Sequence, residues 1–206
     1  MSLTIRGTRI PKRLIATTLL FLFSVCLAVF LPSPSRILCV AAMLLSSLGD
    51  ILLMDFRPIT RQLPFRGFIA GAVCFSVSHV VYAGAFLLLF VGKETPLLPG
   101  LLTGGILFIS MTALLAAITF GQNGDRKMFG LETLYLFVIC LNIASSACAA
   151  ATVGGITWLS PVGGCFFLFS DMFILTQTVR RQSAERFKVP IWITYVTAQI
   201  LLLVGA

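Results

Sequence analysis

Charge is what this sequence has least of. Its 206 residues hold only seven Asp and Glu and a single His, against 15 Lys and Arg, so charged groups make up 11% of the chain. One histidine and scattered acids do not form a metal-ligating pattern, and no metal or other cofactor is expected. None of the six cysteines stands in a C-x-x-C pair, and Cys26, Cys39, Cys74, Cys140, Cys148 and Cys165 all fall in apolar stretches. They read as small buried residues, which removes a disulfide or zinc framework. Long hydrophilic stretches are missing as well. No loop can hold a separate soluble domain, so residues 1–206 are expected to form one unit.

What the chain has instead is hydrophobicity: 58% of its residues are apolar and its mean hydropathy is +1.03. Such a composition belongs to an integral membrane protein. Near-continuous apolar segments run over 14–31, 37–54, 68–91, 97–120, 131–152, 156–178 and 189–206. A helix needs about 20 residues to cross ~30 Å of hydrocarbon, whereas a spanning strand needs only about ten and alternates in polarity. The expected fold is therefore all-α, a polytopic bundle of seven transmembrane helices. The weakest boundary is Thr152–Thr157, where only a double glycine separates the fifth and sixth segments.

The basic residues orient this bundle. With the N-terminus in the cytoplasm, the inner segments hold every Lys and Arg except Arg36 and Lys93. That asymmetry predicts N-terminus in and C-terminus out. It also accounts for the net charge of +8 without nucleic acid, since anionic headgroups attract the same loops. The first apolar run is longer than a signal-peptide core and no A-x-A pattern follows it, so it is expected to remain as a helix.

Against this background, two aspartates stand out. Asp50 is the only charge from Ile37 to Met54, and Asp171 the only one between Glu132 and Arg180. An ionisable group in a span is costly, and by default it faces a partner or cavity and marks function. His79, Asn142, Tyr135, Tyr195 and Gln199 complete the polar set. The orientation above places Asp50, His79, Asp171, Tyr195 and Gln199, on four helices, in the cytoplasmic half of the bilayer, which suggests one polar chamber opening toward the inner leaflet. Tyr195 and Gln199, spaced i, i+4, share a helix face, while Glu132 and Tyr135, spaced i, i+3, are placed at the chamber's rim. Each also has a structural explanation: a carboxylate near an interface can cap helices or pair with a loop arginine, a lone histidine can be a packing residue, and tyrosines and amides hydrogen-bond between helices. The G-x-x-x-G pairs Gly67/Gly71 and Gly100/Gly104 point to close helix contact and carry no chemistry.

Four segments, SLGD (47–50), FSVSHVVY (75–82), FFLFSD (166–171) and YVTAQ (195–199), together resemble the signature segments of the YhhN-like family, the lysoplasmalogenases, and occur in the same order. The resemblance implies an integral membrane hydrolase that cleaves the vinyl ether of lysoplasmalogens into a fatty aldehyde and glycerophosphocholine or glycerophosphoethanolamine. It also implies a lysophospholipid substrate and a bacterial cell membrane as its setting. The family's Gly-Asp falls on Gly49 and Asp50, its Ser-His and Tyr on Ser78, His79 and Tyr82, its Ser-Asp on Ser170 and Asp171, and its Tyr and Gln on Tyr195 and Gln199. Many relatives have eight spans with a Lys-Pro opening the second, whereas PKRL (11–14) opens the first here, and a methionine common downstream of Tyr135 is replaced within VICLNIA (138–144).

The chemistry suits two carboxyl groups. Vinyl ether hydrolysis needs a proton donor for the β-carbon and an anion beside the resulting cation, as glycosidic cleavage does. Asp50 and Asp171 are the expected catalytic pair, Asp171 as acid and Asp50 as the water-orienting base, with the reverse assignment also open. Ser78, His79, Tyr82, Tyr135, Ser170, Tyr195 and Gln199 are expected to position substrate or water. Arg57, Arg61, Arg66, Arg180 and Arg181 are candidates for the phosphate. A competing class is a proton-coupled transporter of small solutes or lipids. Spans two and six each carry a small residue before an aspartate, so helices one to three could repeat as five to seven around the fourth.

Overall fold

The computed structural model describes residues 4–5, 8–9, 12–53, 67–121, 126–180 and 188–206. Among them are seven α-helices: α1 (Lys12–Phe30), α2 (Pro34–Leu53), α3 (Gly67–Phe90), α4 (Leu97–Phe120), α5 (Arg126–Val153), α6 (Leu159–Arg180) and α7 (Lys188–Val204). The only sheet pairing among the described residues is a two-residue antiparallel ladder, Thr4–Ile5 with Thr8–Arg9. The all-helical expectation holds, and the arginines expected at the phosphate fall outside what can be described: Arg57, Arg61, Arg66 and Arg181 lie outside these residues, and Arg180 is described in its backbone only.

Helix boundaries follow local chemistry where hydropathy is blind to it. Helix α2 begins at Pro34, before the apolar run, because Ser33 caps it: the Arg36 backbone N–H donates to Ser33 Oγ at 3.2 Å, and proline is favoured at the first helical position. Helix α5 likewise starts among polar residues, at Arg126. It stops at Val153, where Gly154 and Gly155 take φ of +75° and +57°, and one 3₁₀ turn, Gly155–Trp158, leads into α6. The separation of α5 from α6 thus rests on glycine's access to left-handed backbone.

Five helical stretches, in α2 to α6, have the length and apolarity to cross a membrane; the apolar parts of α1 and α7, Leu14–Phe30 and Val189–Val204, are shorter. Hydroxyls in these helices are inexpensive because they donate to carbonyls one turn back, as Ser76 does to Ala72 at 2.9 Å and Thr133 to Phe129 at 2.8 Å. Consecutive helices pack as neighbours except α3 and α4, and α5 packs against α3 instead. Two buried clusters form the core. One joins α1, α2, α3, α5, α6 and α7 around Met43, Phe75, Tyr82, Phe86 and Phe167, and the other joins α4, α5 and α6 around Leu115, Ile139 and Leu168. Tyr135 packs against both.

The Gly100/Gly104 pair does what its spacing suggests. A Cβ built on Gly100 would stand 2.2 Å from Cys148 Sγ and 2.6 Å from the Ala144 carbonyl oxygen, while one on Gly105 would meet nothing within 4 Å. Gly100→Val is therefore expected to force α4 off α5 and cost about 1–3 kcal/mol, as overpacking does. Thermal unfolding in detergent checks this, with Gly105→Val on the same helix staying close to wild type.

Candidate active site

Asp50 lies in the last turn of α2 and Asp171 near the middle of α6, and both line one small cavity of about 50 Å³. The elements that close it are α1, through Thr17 and Leu20, α3, through Phe75, and α7, through Trp192 and Tyr195. Asp171 is 8% exposed, whereas Asp50 is only partly buried. Gly49 permits the approach of α3: a Cβ there would come within 2.8 Å of the Phe75 ring, and that ring sits edge-on to both Phe167 and Tyr195. An aromatic wall thus backs the two carboxyl groups.

Each aspartate has its own tyrosine. Tyr195 on α7 donates its hydroxyl to Asp50 Oδ2 at 2.7 Å, and Tyr135 on α5 donates to Asp171 Oδ2. Behind Tyr195 stands a directed chain. Tyr82 OH donates to Gln199 Oε1 at 2.8 Å, and Gln199 Nε2 donates to Tyr195 OH at 3.4 Å. Every donor in that chain points toward Asp50, an order that suits an ionised carboxylate as the last acceptor. Tyr135 brings no such chain to Asp171 among the described residues. The two pairings are not related by a repeat of α1–α3 as α5–α7, for such a repeat would give Asp171 a tyrosine from α3.

A second cavity, of about 210 Å³, lies between α3 and α5 and is almost entirely apolar. Asp171, Leu53, Phe75 and Ile174 line both cavities, so the larger one abuts the aspartates through Asp171. Around it, Ile69 and Val73 on α3 and Leu131 and Leu134 on α5 are between 48% and 61% exposed, on the outside of the bundle. In a membrane that exterior faces hydrocarbon.

The remaining sequence candidates occupy different places. Tyr195 and Ser170 line the small cavity, and Ser170 Oγ donates to the Ile191 carbonyl at 3.2 Å. Tyr82 and Gln199 reach it through the chain just described. His79 is fully enclosed: Asn142 Nδ2 lies 3.1 Å from its Nδ1, and its ring meets Phe167 edge-on at 4.3 Å, while Nε2 has no hydrogen-bond partner among the described residues. With Asn142 as donor, Nδ1 is the acceptor and Nε2 carries the proton of the neutral ring. Ser78 lies further into the α2–α3 contact, bonded to Ser46 Oγ at 2.7 Å and to the Ala42 carbonyl at 2.8 Å. Sequence reasoning assigned nothing to Phe75, Phe167 or Trp192, because an aromatic residue in an apolar segment gives no signal of its own. Among the described residues no cluster of His, Cys, Asp and Glu has the makings of a metal site.

No curated protein and no solved structure matches the chain. The YhhN family model matches residues 11–206, nearly the whole sequence, and with its helices apolar enough for several crossings the chain belongs to the YhhN family of multi-pass membrane proteins, which includes lysoplasmalogenases.

Proposed function

We propose that the protein hydrolyses the vinyl ether of lysoplasmalogens through Asp50 and Asp171. The observation that carries this is the meeting of two intramembrane carboxyl groups at one small cavity, with a larger apolar cavity beside it. Asp171, the more enclosed carboxyl, gives its proton to the β-carbon of the double bond. The π electrons form the new C–H bond, and the α-carbon becomes an oxocarbenium ion shared with the glycerol oxygen. Asp50, held as an acceptor by Tyr195, faces that cation and takes a proton from the water that adds to the α-carbon. The hemiacetal then collapses: Asp171 takes up its hydroxyl proton, the bond from carbon to the glycerol oxygen breaks, and Asp50 returns the proton taken from water to that oxygen, so both carboxyl groups regain their starting forms. One water is consumed, and a fatty aldehyde and a glycerophospho-headgroup alcohol are released. The small cavity has room for the water, since one needs about 10–15 Å³.

The test is mass spectrometry of products after incubating purified protein in detergent with choline and ethanolamine lysoplasmalogens. Aldehyde made in D₂O, trapped as a hydrazone, is expected to carry one deuterium beside the carbonyl carbon, because that carbon accepts the proton. Absence of aldehyde from both substrates, with the protein folded, would refute the proposal in favour of a transport role for the same aspartates.

A further inference from the structure

Glu132 on α5 is 7% exposed, and its Oε2 is buried without a hydrogen-bond partner among the described residues. It lines the larger cavity, whose wall holds no Lys or Arg among the described residues. A carboxylate desolvated in a wall that is apolar apart from Ser76, Tyr135 and Asp171 is costly unless it takes up a proton or a cation supplies compensating charge. The other notable feature of that wall is aromatic: Phe68, Phe75 and Tyr135. Besides Asp171, which the hydrolase reading keeps as the proton donor, Glu132 sets a carboxylate among several aromatic rings, and that is the chemistry that recognises organic ammonium groups, through Coulomb attraction and the negative faces of the rings. A small hydrated metal ion would need a shell of oxygen ligands, and no group of three or more His, Cys, Asp and Glu able to hold one is found among the described residues.

We propose that Glu132 forms a cation subsite that takes the ammonium group of an amine-bearing single-chain lipid. Its placement supports this. Glu132 is one helical turn from Tyr135, whose hydroxyl holds Asp171, so an ammonium at Glu132 sets the rest of the molecule toward the aspartates. Ile69 and Leu131, exposed beside the cavity, offer its chain a path into surrounding hydrocarbon. The subsite rests on the hydrolase proposal for what happens next to the bound lipid, but not for binding itself. It makes zwitterionic or cationic headgroups preferred and anionic ones disfavoured.

Binding of dodecyltrimethylammonium to the full chain in an uncharged maltoside detergent tests this, with dodecanol, dodecyl sulfate and free choline as comparison ligands. Glu132→Gln is expected to weaken the ammonium amphiphile by about tenfold or more and to leave dodecanol unchanged, as loss of a desolvated cation contact should. Glu132→Asp, which keeps the charge, is expected to retain most of the affinity and shows that the site tolerates substitution. Equal binding by wild type and Glu132→Gln, or no preference of wild type for ammonium over dodecanol, would overturn the subsite. Choline binding as tightly as the amphiphile would also overturn it, by assigning the site to free amines. Aldehyde release is measured on the same preparations. Release without Glu132-dependent discrimination removes the subsite and leaves the hydrolase, while Glu132-dependent binding without aldehyde does the reverse.

Discussion

Asp171→Asn is expected to lower aldehyde release by about three orders of magnitude or more, at the upper part of what a positioned general acid contributes. Protonation of carbon is the hard step, and an amide has no proton of comparable acidity to give. The substitution is close to isosteric, and the asparagine carbonyl oxygen can still accept from Tyr135, so the contact between α5 and α6 is preserved. Tyr135→Phe provides the contrast. It removes the hydroxyl that orients Asp171 but leaves the acid in place, and is expected to cost about tenfold, within the range of one hydrogen bond to a charged or polar group. Initial rates by product mass spectrometry, alongside unfolding curves for each variant, separate lost chemistry from lost fold. Aldehyde release by Asp171→Asn within tenfold of wild type would remove Asp171 as the acid.

The helices were legible because the bilayer demands long apolar runs, and the seven segments lie close to the helices found, with the largest departures at the starts of α2, α5 and α6. Those departures have local causes. Polar first turns at Pro34 and Arg126 do not register as apolar, and the 3₁₀ turn after Gly154 delays α6 to Leu159. The site was legible to the extent that charge in hydrocarbon is costly: Asp50 and Asp171 announced themselves, and the i, i+4 spacing of Tyr195 and Gln199 led to a hydrogen bond between them. Which tyrosine serves which aspartate was not legible. That depends on how each helix is rotated about its axis, which no local pattern encodes. Glu132 was placed at a rim because it stands near the start of an apolar run, whereas packing of α3 against α5 encloses it. The contribution of α1 through Thr17 and Leu20 had no signal at all.

Asp50→Asn is expected to cost about two to four orders of magnitude, as loss of a general base or of cation stabilisation does, but by a different route from Asp171→Asn. The amide oxygen introduced at this position would still accept from Tyr195, so the Tyr82–Gln199–Tyr195 chain would keep its terminus and the fold its contacts. What disappears is the negative charge facing the oxocarbenium ion and the base that draws a proton from water. Once water capture is slowed, the cation lives long enough to return a proton to Asp171. In D₂O Asp171 delivers a deuteron to the β-carbon, and return of that carbon's original proton leaves the deuterium behind. Unreacted substrate recovered from Asp50→Asn is therefore expected to carry deuterium at the β-carbon of its vinyl ether, while substrate recovered from Asp171→Asn carries none, because its first step never occurs. The opposite pattern, exchange with Asp171→Asn and none with Asp50→Asn, would swap the roles of the two carboxyl groups. The directed hydrogen bonds ending on Asp50 weigh against that swap, because they reach it through the Tyr195 hydroxyl as donor and suit an ionised carboxylate, which has a proton to take from water and none to deliver to carbon.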